Sequence, residues 1–154
     1  MSEPEFKPKP GQIDYTNVKR APVINCVAKH GGKILIVQRN PTMKFYPGYW
    51  NGISGFLDDG RSIAEKAKDE LWEEAGIEEN DIIDIREGEV FEQEEPEYNK
   101  TWIVHPILAE VKTDRVKLDW EAGEYKWIDV VEAGKFNLLP GFDRVLGALS
   151  PWLQ

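Results

Sequence analysis

A chain of 154 residues is long enough to form one domain that buries a core without disulfides or a structural metal. Hydrophobic residues make up 41% of the sequence, which excludes a mainly disordered chain. The net charge of -9 creates a field that repels phosphate backbones, so we expect no binding to nucleic acid as a partner.

Residues 1–18 are predicted to form an extended N-terminal arm. The first twelve residues carry charges and three prolines, where a secretion signal would need an apolar stretch. No apolar run reaches the length of a membrane span, so we expect no membrane partner. The one cysteine, Cys26, lies in an apolar run and is interpreted as a buried thiol, which is typical of the reducing cytoplasm.

A β-hairpin is predicted directly after the arm. Two β-branched apolar runs, 21–30 and 33–39, are separated by a pair of glycines, which is the pattern of two strands joined by a tight turn. The next segment, 40–52, combines Asn, Pro and Gly with four aromatic residues and predicts an ordered loop. Its rings are interpreted either as one wall of a binding site or as anchors of the loop.

A helix is predicted between Ser62 and Gly76. Ser62 is followed three residues later by Glu65, which is the form of a capping box, and Gly76 supplies a matching end. Ile63, Ala67 and Leu71 repeat at four-residue intervals, so one side of this helix is apolar and can pack on a sheet.

The rest of the chain reads as strands followed by a closing helix. Strands are predicted over 81–93, 101–112 and 124–131, and a helix over 141–154 that ends near Pro151. The acidic segment 87–100 is expected to loop out, because like charges repel in a compact setting. This order of elements predicts a single α/β domain over residues 19–154.

Three glutamates on the predicted helix are the main candidates for chemistry. Glu70, Glu73 and Glu74 project from one side of the helix and repel one another unless solvent, a lysine such as Lys66, or a divalent metal neutralises them. Carboxylate oxygens suit Mg²⁺ or Mn²⁺. The alternative interpretation is a plain solvated face, which is the common role of paired glutamates on helices.

The segment 55–77 resembles the Nudix box, G-x5-E-x7-R-E-U-x-E-E-x-G-U, where U is a bulky apolar residue. The matching positions are Gly55, Glu70, Leu71, Glu73, Glu74, Gly76 and Ile77. Two positions differ, because Arg61 stands where the box has Glu and Asp69 stands where it has Arg. In the family these two residues are thought to form a pair that braces the loop, so the resemblance implies the same salt bridge with reversed polarity.

The resemblance implies a Nudix-type α/β/α sandwich with a mixed β-sheet. It also implies a hydrolase in which Mg²⁺ or Mn²⁺ directs water onto phosphorus in a diphosphate, typically a nucleoside diphosphate joined to another group. By position in the box, Glu70 and Glu74 are implied metal ligands, Glu73 is a further ligand or a base, and the Gly55 carbonyl oxygen is an additional ligand. The implied partner is a small nucleotide or diphosphate substrate.

Many members of the family recruit one more acidic residue beyond the box. The segment 122–129 resembles the part that often provides it, and Glu124 is our first candidate for this metal ligand. An exposed loop glutamate is an equally good interpretation of Glu124. Glu92, Glu94 and Glu95 compete for the role.

Cationic and aromatic residues are candidates for substrate binding. An acidic protein needs local cations beside anionic phosphates, and Arg39 and Lys44 are predicted to contact phosphate oxygens unless they are ordinary surface charges. Tyr46 and Trp50 are candidates for stacking on a nucleobase, with Tyr98 and Trp102 as further candidates. Plain core packing is the alternative for each of these rings.

Two other functions share the fold. Isopentenyl diphosphate isomerase needs an active-site cysteine, and Cys26 in the first predicted strand is no counterpart, so this reading is disfavoured. A catalytically weakened nucleotide-binding or sensor module is the second alternative, and the exchange at Arg61 and Asp69 keeps it open. The sequence is compatible with a homodimer and does not identify the substrate.

Overall fold

The structure is a computed structural model that describes residues 19–57, 60–120 and 122–153. The predicted arm, residues 1–18, lies outside the described residues. The described elements are the strands β1 (Arg20–His30), β2 (Lys33–Arg39), β3 (Trp50–Asn51), β4 (Ile53–Phe56), β5 (Ile82–Glu87), β6 (Phe91–Glu95), β7 (Lys100–Val111) and β8 (Ala122–Ile128), and the helices α1 (Ile63–Ala75) and α2 (Phe142–Leu153). Short 3-10 helices lie at Glu79–Asp81, Pro96–Tyr98 and Val130–Lys135. Within these ranges, no helix is both long and apolar enough to cross a bilayer.

A mixed sheet is organised around two long strands, β1 and β7. They run parallel from the pair Arg20 and Thr101 to the pair Lys29 and Glu110. The other strands add antiparallel: β2 and β4 on β1, β5 and β6 on β7, and β3 and β8 on β2. The predicted hairpin of β1 and β2 and the predicted mixed sheet are therefore confirmed.

Each face of the sheet carries its own apolar cluster, because successive strand residues point to opposite faces. One cluster joins Ile24 and Cys26 of β1 to the side of α1 that Ala67 and Leu71 line. The other cluster joins alternate residues of β1 and β7 to α2. The result is the α/β/α sandwich that the sequence predicts.

Local signals set both ends of α1. The Ser62 hydroxyl accepts a hydrogen bond from the Glu65 backbone N–H at 3.2 Å, which satisfies one of the orphan donors of the first turn. At the other end Gly76 adopts a left-handed conformation with φ of 67°, and its N–H donates to the Trp72 carbonyl. The Ile77 N–H donates to the Leu71 carbonyl, which completes the cap. The predicted helix is confirmed.

The acidic segment 87–100 does not simply loop out, as the sequence analysis expects. Its central residues form β6, which pairs with β7. Two arginines contact this strand: Arg20 forms an ion pair with Glu92, and Arg144 Nη1 donates to the Glu92 carbonyl at 2.8 Å. Side chains from distant parts of the chain therefore add contacts to a strand that pairs with β7.

Two predicted strands also have wrong boundaries, and the run predicted over 81–93 is divided into β5, which ends at Glu87, and β6, which begins at Phe91. The strand predicted over 124–131 ends at Ile128, because Asp129 and Glu132 form a capping box that starts a 3-10 helix. The closing helix continues through Pro151 to Leu153. Pro151 lies in the last turn, where the missing N–H removes only one hydrogen bond, and Leu153 is buried in the α2 cluster.

Gly76→Ala is expected to lower the free energy of unfolding by about 1–2 kcal/mol, because an alanine is strained in the left-handed conformation. A Cβ at this position would also lie 3.0 Å from Lys117 Cβ, which adds crowding. Gly31→Ala is the matched control, since Gly31 also has a positive φ but has nothing within 4 Å of an added Cβ. Urea unfolding should show the larger loss for Gly76→Ala. Equal losses of unfolding free energy in the two variants would show that the loop around Lys117 moves aside without lowering stability.

Candidate active site

A cavity of about 650 Å³ connects α1 with the loops around the sheet. Its lining combines acidic, cationic, amide and aromatic side chains from segments that are distant in the sequence. The lining includes Asn25, Arg39, Lys44, Phe45, Tyr46, Asn51, Gly55, Glu70, Glu73, Glu74, Trp102 and Asp119. All three candidate glutamates of the helix therefore reach one cavity.

Glu70 is the most enclosed of the three glutamates, with 7% of its surface exposed. Its Oε1 lies 3.2 Å from Nζ of Lys66, one helical turn earlier, so the pairing considered for these two residues is present. On β4, a Cβ added to Gly55 would lie 2.6 Å from Cδ of Glu70 and 2.7 Å from Oε1. A side chain at position 55 would therefore displace the Glu70 carboxylate from this position.

Glu73 and Glu74 follow one turn further along α1 and are less enclosed, Glu73 being exposed and Glu74 half-buried. Besides burial, the charges of the Glu74 and Glu70 carboxylates both affect the pKa of the Cys26 thiol. Burial is the main cause that raises the pKa of the Cys26 thiol far above its ordinary value, and the charges of Glu74 and then Glu70 raise it further. The thiol is protonated and fully buried, as the sequence interpretation holds, and is unsuited to act as a nucleophile.

The residues present fit a hard divalent cation in donor chemistry. The carboxylates of Glu70, Glu73 and Glu74 and the Gly55 carbonyl are oxygen donors, and all four residues line the cavity. In the described parts of the chain, however, no three His, Cys, Asp or Glu side chains are already gathered as a cation site. The Glu70 carboxylate instead faces an ammonium group. The metal roles of these residues therefore stay predictions.

Arg61 and Asp69 form an ion pair between the segment before α1 and the body of the helix. The guanidinium Nη1 contacts Oδ2 of the carboxylate, and each side chain is at least a third exposed. These are the two positions at which the chain departs from the Nudix box. The contact spans the loop and the helix as the implied brace would, with the charges exchanged.

The two candidate cations both line the cavity. Arg39 ends β2, and its Nε donates to the Phe45 carbonyl at 2.8 Å, which ties the 40–49 loop to the strand. Lys44 is exposed, with its Nζ 5.7 Å from the centre of the Phe45 ring. Positive charge is therefore available in the same cavity as the glutamates.

The candidate aromatic residues divide into two sets. Tyr46 and Trp102 line the cavity and are joined by a 2.8 Å hydrogen bond from the indole N–H to the tyrosine hydroxyl. Burial is the main cause that raises the pKa of Tyr46 well above its ordinary value, so its hydroxyl keeps its proton. Trp50 is only 8% exposed, packs on Phe136 and does not line the cavity. Nucleobase stacking does not fit the position of Trp50, because its ring fills the core.

Among the described residues beyond the box, the acidic residue that lines the cavity is Asp119, and Glu124 does not line it. Glu124 lies on the exposed part of β8, with its Oε1 3.7 Å from Lys126 Nζ. The Asp119 backbone N–H donates to the Glu74 carbonyl at 3.3 Å, and the Lys117 N–H donates to the Ala75 carbonyl at 2.8 Å. These bonds attach the loop before β8 to the end of α1, which carries Asp119 to the glutamates.

Two asparagines in the cavity lining are absent from the candidates named on sequence grounds. Asn25 Nδ2 donates to Asn51 Oδ1 at 2.8 Å, and both side chains are buried. Asn25 Oδ1 is buried with no hydrogen-bond partner among the residues that the structure describes, and a Cβ added to Gly52 would lie 2.4 Å from it. An amide inside the apolar run of β1 is the sequence signal that identifies this residue, because a buried polar side chain needs a reason.

The profile of the NUDIX domain matches residues 18–153. The chain belongs to the Nudix family. Among curated relatives, it is 26% identical over 69 residues to Nudix hydrolase 19 of Arabidopsis thaliana, a chloroplast protein, and 30% identical over 70 residues to the NAD-capped RNA hydrolase NudC of Chromobacterium violaceum. These matches cover 45% and 46% of this chain but only 15% and 24% of the two relatives.

A longer match joins the chain to the uncharacterized Nudix hydrolase YvcI of Bacillus subtilis, with 25% identity over 80% of this chain and 75% of the relative. Among solved structures, the NUDIX domain of Shewanella oneidensis NrtR complexed with ADP ribose superposes with a TM-score of 0.73. The sequence identity there is 14%, over 88% of this chain and 89% of that chain. At this identity the superposition establishes the shared fold.

Arg61→Glu and Asp69→Arg, made singly, are each expected to lower the free energy of unfolding by up to about 1 kcal/mol, because each puts like charges in contact. The double variant should recover most of the loss, since it restores an ion pair. Urea unfolding of the four proteins gives the coupling, which should shrink at high salt for a partly exposed pair. Additive losses would show that the two side chains do not stabilise the protein through each other.

Proposed function

We propose that this chain is a divalent-metal-dependent pyrophosphohydrolase that cleaves the diphosphate bond of a nucleoside diphosphate derivative. One observation carries the proposal: the cavity that holds Glu70, Glu73, Glu74 and Asp119 also holds Arg39 and Lys44. Carboxylates suited to a cation and side chains suited to phosphate therefore face one space. Membership of the Nudix family and relatives named as hydrolases support the same reaction class.

The residues that would hold a divalent ion are Glu70, Glu73 and Glu74, with the Gly55 carbonyl as a further ligand and Asp119 beside them. Mg²⁺ is the first candidate and Mn²⁺ the second, because all of these donors are hard oxygens. When bound, such an ion neutralises diphosphate oxygens and lowers the pKa of water. Cys26 is a buried thiol, which is consistent with work in a reducing compartment such as the cytoplasm.

The chain's own residues carry out the other steps of the proposed reaction. Arg39 and Lys44 bind and orient the phosphate oxygens. Glu73, the exposed member of the three, accepts a proton from the attacking water at its carboxylate. The water oxygen forms the new bond to phosphorus, and the bridging P–O bond breaks with its electron pair leaving on the departing phosphate. The protein mainly supplies positioning and charge, as is general for transfer at phosphorus.

The aromatic part of the cavity is proposed to take the nucleoside. Phe45, Tyr46 and Trp102 provide ring surface on which a base can stack. A relative in fold binds ADP ribose, which is a nucleoside diphosphate derivative of this kind. ADP-ribose is therefore the first compound to test, followed by sugar nucleotides, nucleoside triphosphates and dinucleoside polyphosphates.

A nucleotide-binding module without turnover is the second candidate function. The observation that favours it is the Lys66 ammonium at 3.2 Å from Glu70, which opposes a cation at that carboxylate. The two candidates separate in one assay with ADP-ribose and Mg²⁺. An enzyme releases AMP, whereas a sensor shows only a ligand-induced rise in melting temperature.

Glu74→Gln is expected to lower kcat by about 100-fold or more, because the amide removes a negative charge from the proposed ion site. Glu65→Gln is the matched control on the same helix, since Glu65 is exposed in the first turn and does not line the cavity. Steady-state hydrolysis with Mg²⁺, together with circular dichroism to verify folding, provides the measurement. Equal activity of Glu74→Gln and the unmodified protein would contradict the proposed ion site.

Asp119→Asn is expected to lower kcat or to raise the Mg²⁺ concentration for half-maximal activity by about 10-fold, since Asp119 is the acid placed beside the glutamates. Glu124→Gln should change neither quantity, because Glu124 lies outside the cavity lining. Titration of activity with Mg²⁺ at saturating substrate compares the two variants. A larger effect of Glu124→Gln than of Asp119→Asn would assign the role of additional metal ligand to Glu124.

A further inference from the structure

Lys66 is a buried cation beside the proposed ion site. Only 2% of its surface is exposed, although it lies on α1, a helix at the surface of the sandwich. Lysine is almost never buried to this degree unless its ammonium group has a counter-charge. The Glu70 carboxylate at 3.2 Å supplies that charge, and it is itself only 7% exposed.

The Glu70 carboxylate is closely surrounded. Lys66 Nζ lies 3.2 Å from Oε1, and Gly55 is so close that an added Cβ would come within 2.6 Å of Cδ. Burial makes the pair interdependent, because removing one member leaves an uncompensated charge out of water. The arrangement differs from the exposed pair of Lys68 and Glu79, which starts on the same helix two residues later.

We propose that Lys66 is a built-in competitor for the divalent cation at Glu70. The ammonium neutralises the carboxylate in the metal-free protein, and it must withdraw from Glu70 when a divalent ion binds there. This inference rests on the proposed function in one respect, namely that Glu70 is a metal ligand. Its consequence is that the protein is folded without the metal, and that a higher concentration of the ion is needed to occupy the site.

Competition predicts two opposite effects of one substitution. Without the ammonium, Glu70 loses its counter-charge in the metal-free protein, so the melting temperature in EDTA falls. The same loss removes the competitor, so the affinity for the ion rises. A lysine with a merely structural role would change stability alone, because the ion would not have to displace it.

The test compares Lys66→Met with Lys68→Met in the full chain, without substrate. Methionine keeps the length and most of the volume of lysine, and Lys68→Met removes the same charge from the same helix without touching Glu70. Mn²⁺ binding is measured by calorimetry at about pH 8, where ordinary carboxyl groups are ionised. Lys66→Met should bind Mn²⁺ roughly 10-fold more tightly than Lys68→Met, the size of a typical coupling between two binding events.

Thermal melts give a second readout. The melting temperature of Lys66→Met should lie below that of Lys68→Met in EDTA, and saturating Mn²⁺ should close the gap. If Lys66→Met does not fold without metal, Lys66→Gln is used instead, because its amide can still donate to Glu70 without the charge. The ordering of Mn²⁺ affinities expected for this second variant is the same.

Three results would overturn the inference. Equal Mn²⁺ affinity of the Lys66 and Lys68 variants overturns it while leaving the proposed hydrolase intact. Weaker binding by the Lys66 variant does the same and would assign Lys66 to supporting the ion. Absence of Mn²⁺ binding in every variant, the unmodified protein included, overturns both this inference and the metal dependence in the proposed function.

Discussion

A carboxylate that is taken out of water must be given a partner, and the candidate site is built around one such group. Glu70 is held between the Lys66 ammonium and a glycine that leaves room for it on β4. Its neighbours on α1 extend the negative charge toward the cavity. The position of the whole site relative to the sheet therefore depends on how this one side chain is accommodated.

The protein places scarce positive charge where negative charge is concentrated. With 28 acidic and 19 basic residues, few cations are available, and several of them serve specific acidic groups. Arg20 pairs with Glu92 on β6, Arg61 pairs with Asp69, and Lys66 pairs with Glu70. Arg39 and Lys44 line the same cavity as the glutamates and provide positive charge there.

The acidic residues and the aromatic residues of the cavity belong to opposite faces of the sandwich. The acidic side belongs to α1, whose apolar side packs on one face of the sheet. Tyr46 and Trp102 belong to the apolar cluster of the other face, on which α2 packs. The split pairing of β1, with β4 along one part and β2 along the other, brings residues of both faces to the same opening. A binding site with a charged end and an aromatic end follows from this layout.

Much of the fold and the acidic centre of the site could be predicted from the sequence, because the signals are local. The cap at Ser62, the left-handed residue at Gly76 and the spacing of Glu70, Glu73 and Glu74 act within a few residues, where helix geometry alone sets the outcome. The sequence predicts the strand at Phe91–Glu95 only in part, as the end of the run 81–93, because the break after Glu87 and the pairing with β7 depend on residues far away in the chain. The sequence also shows an acidic residue beyond the box without showing which one approaches the helix. Only tertiary structure decided that Asp119 reaches the cavity, that Trp50 fills the core and that Lys66 is buried, because each result depends on contacts between segments far apart in the chain.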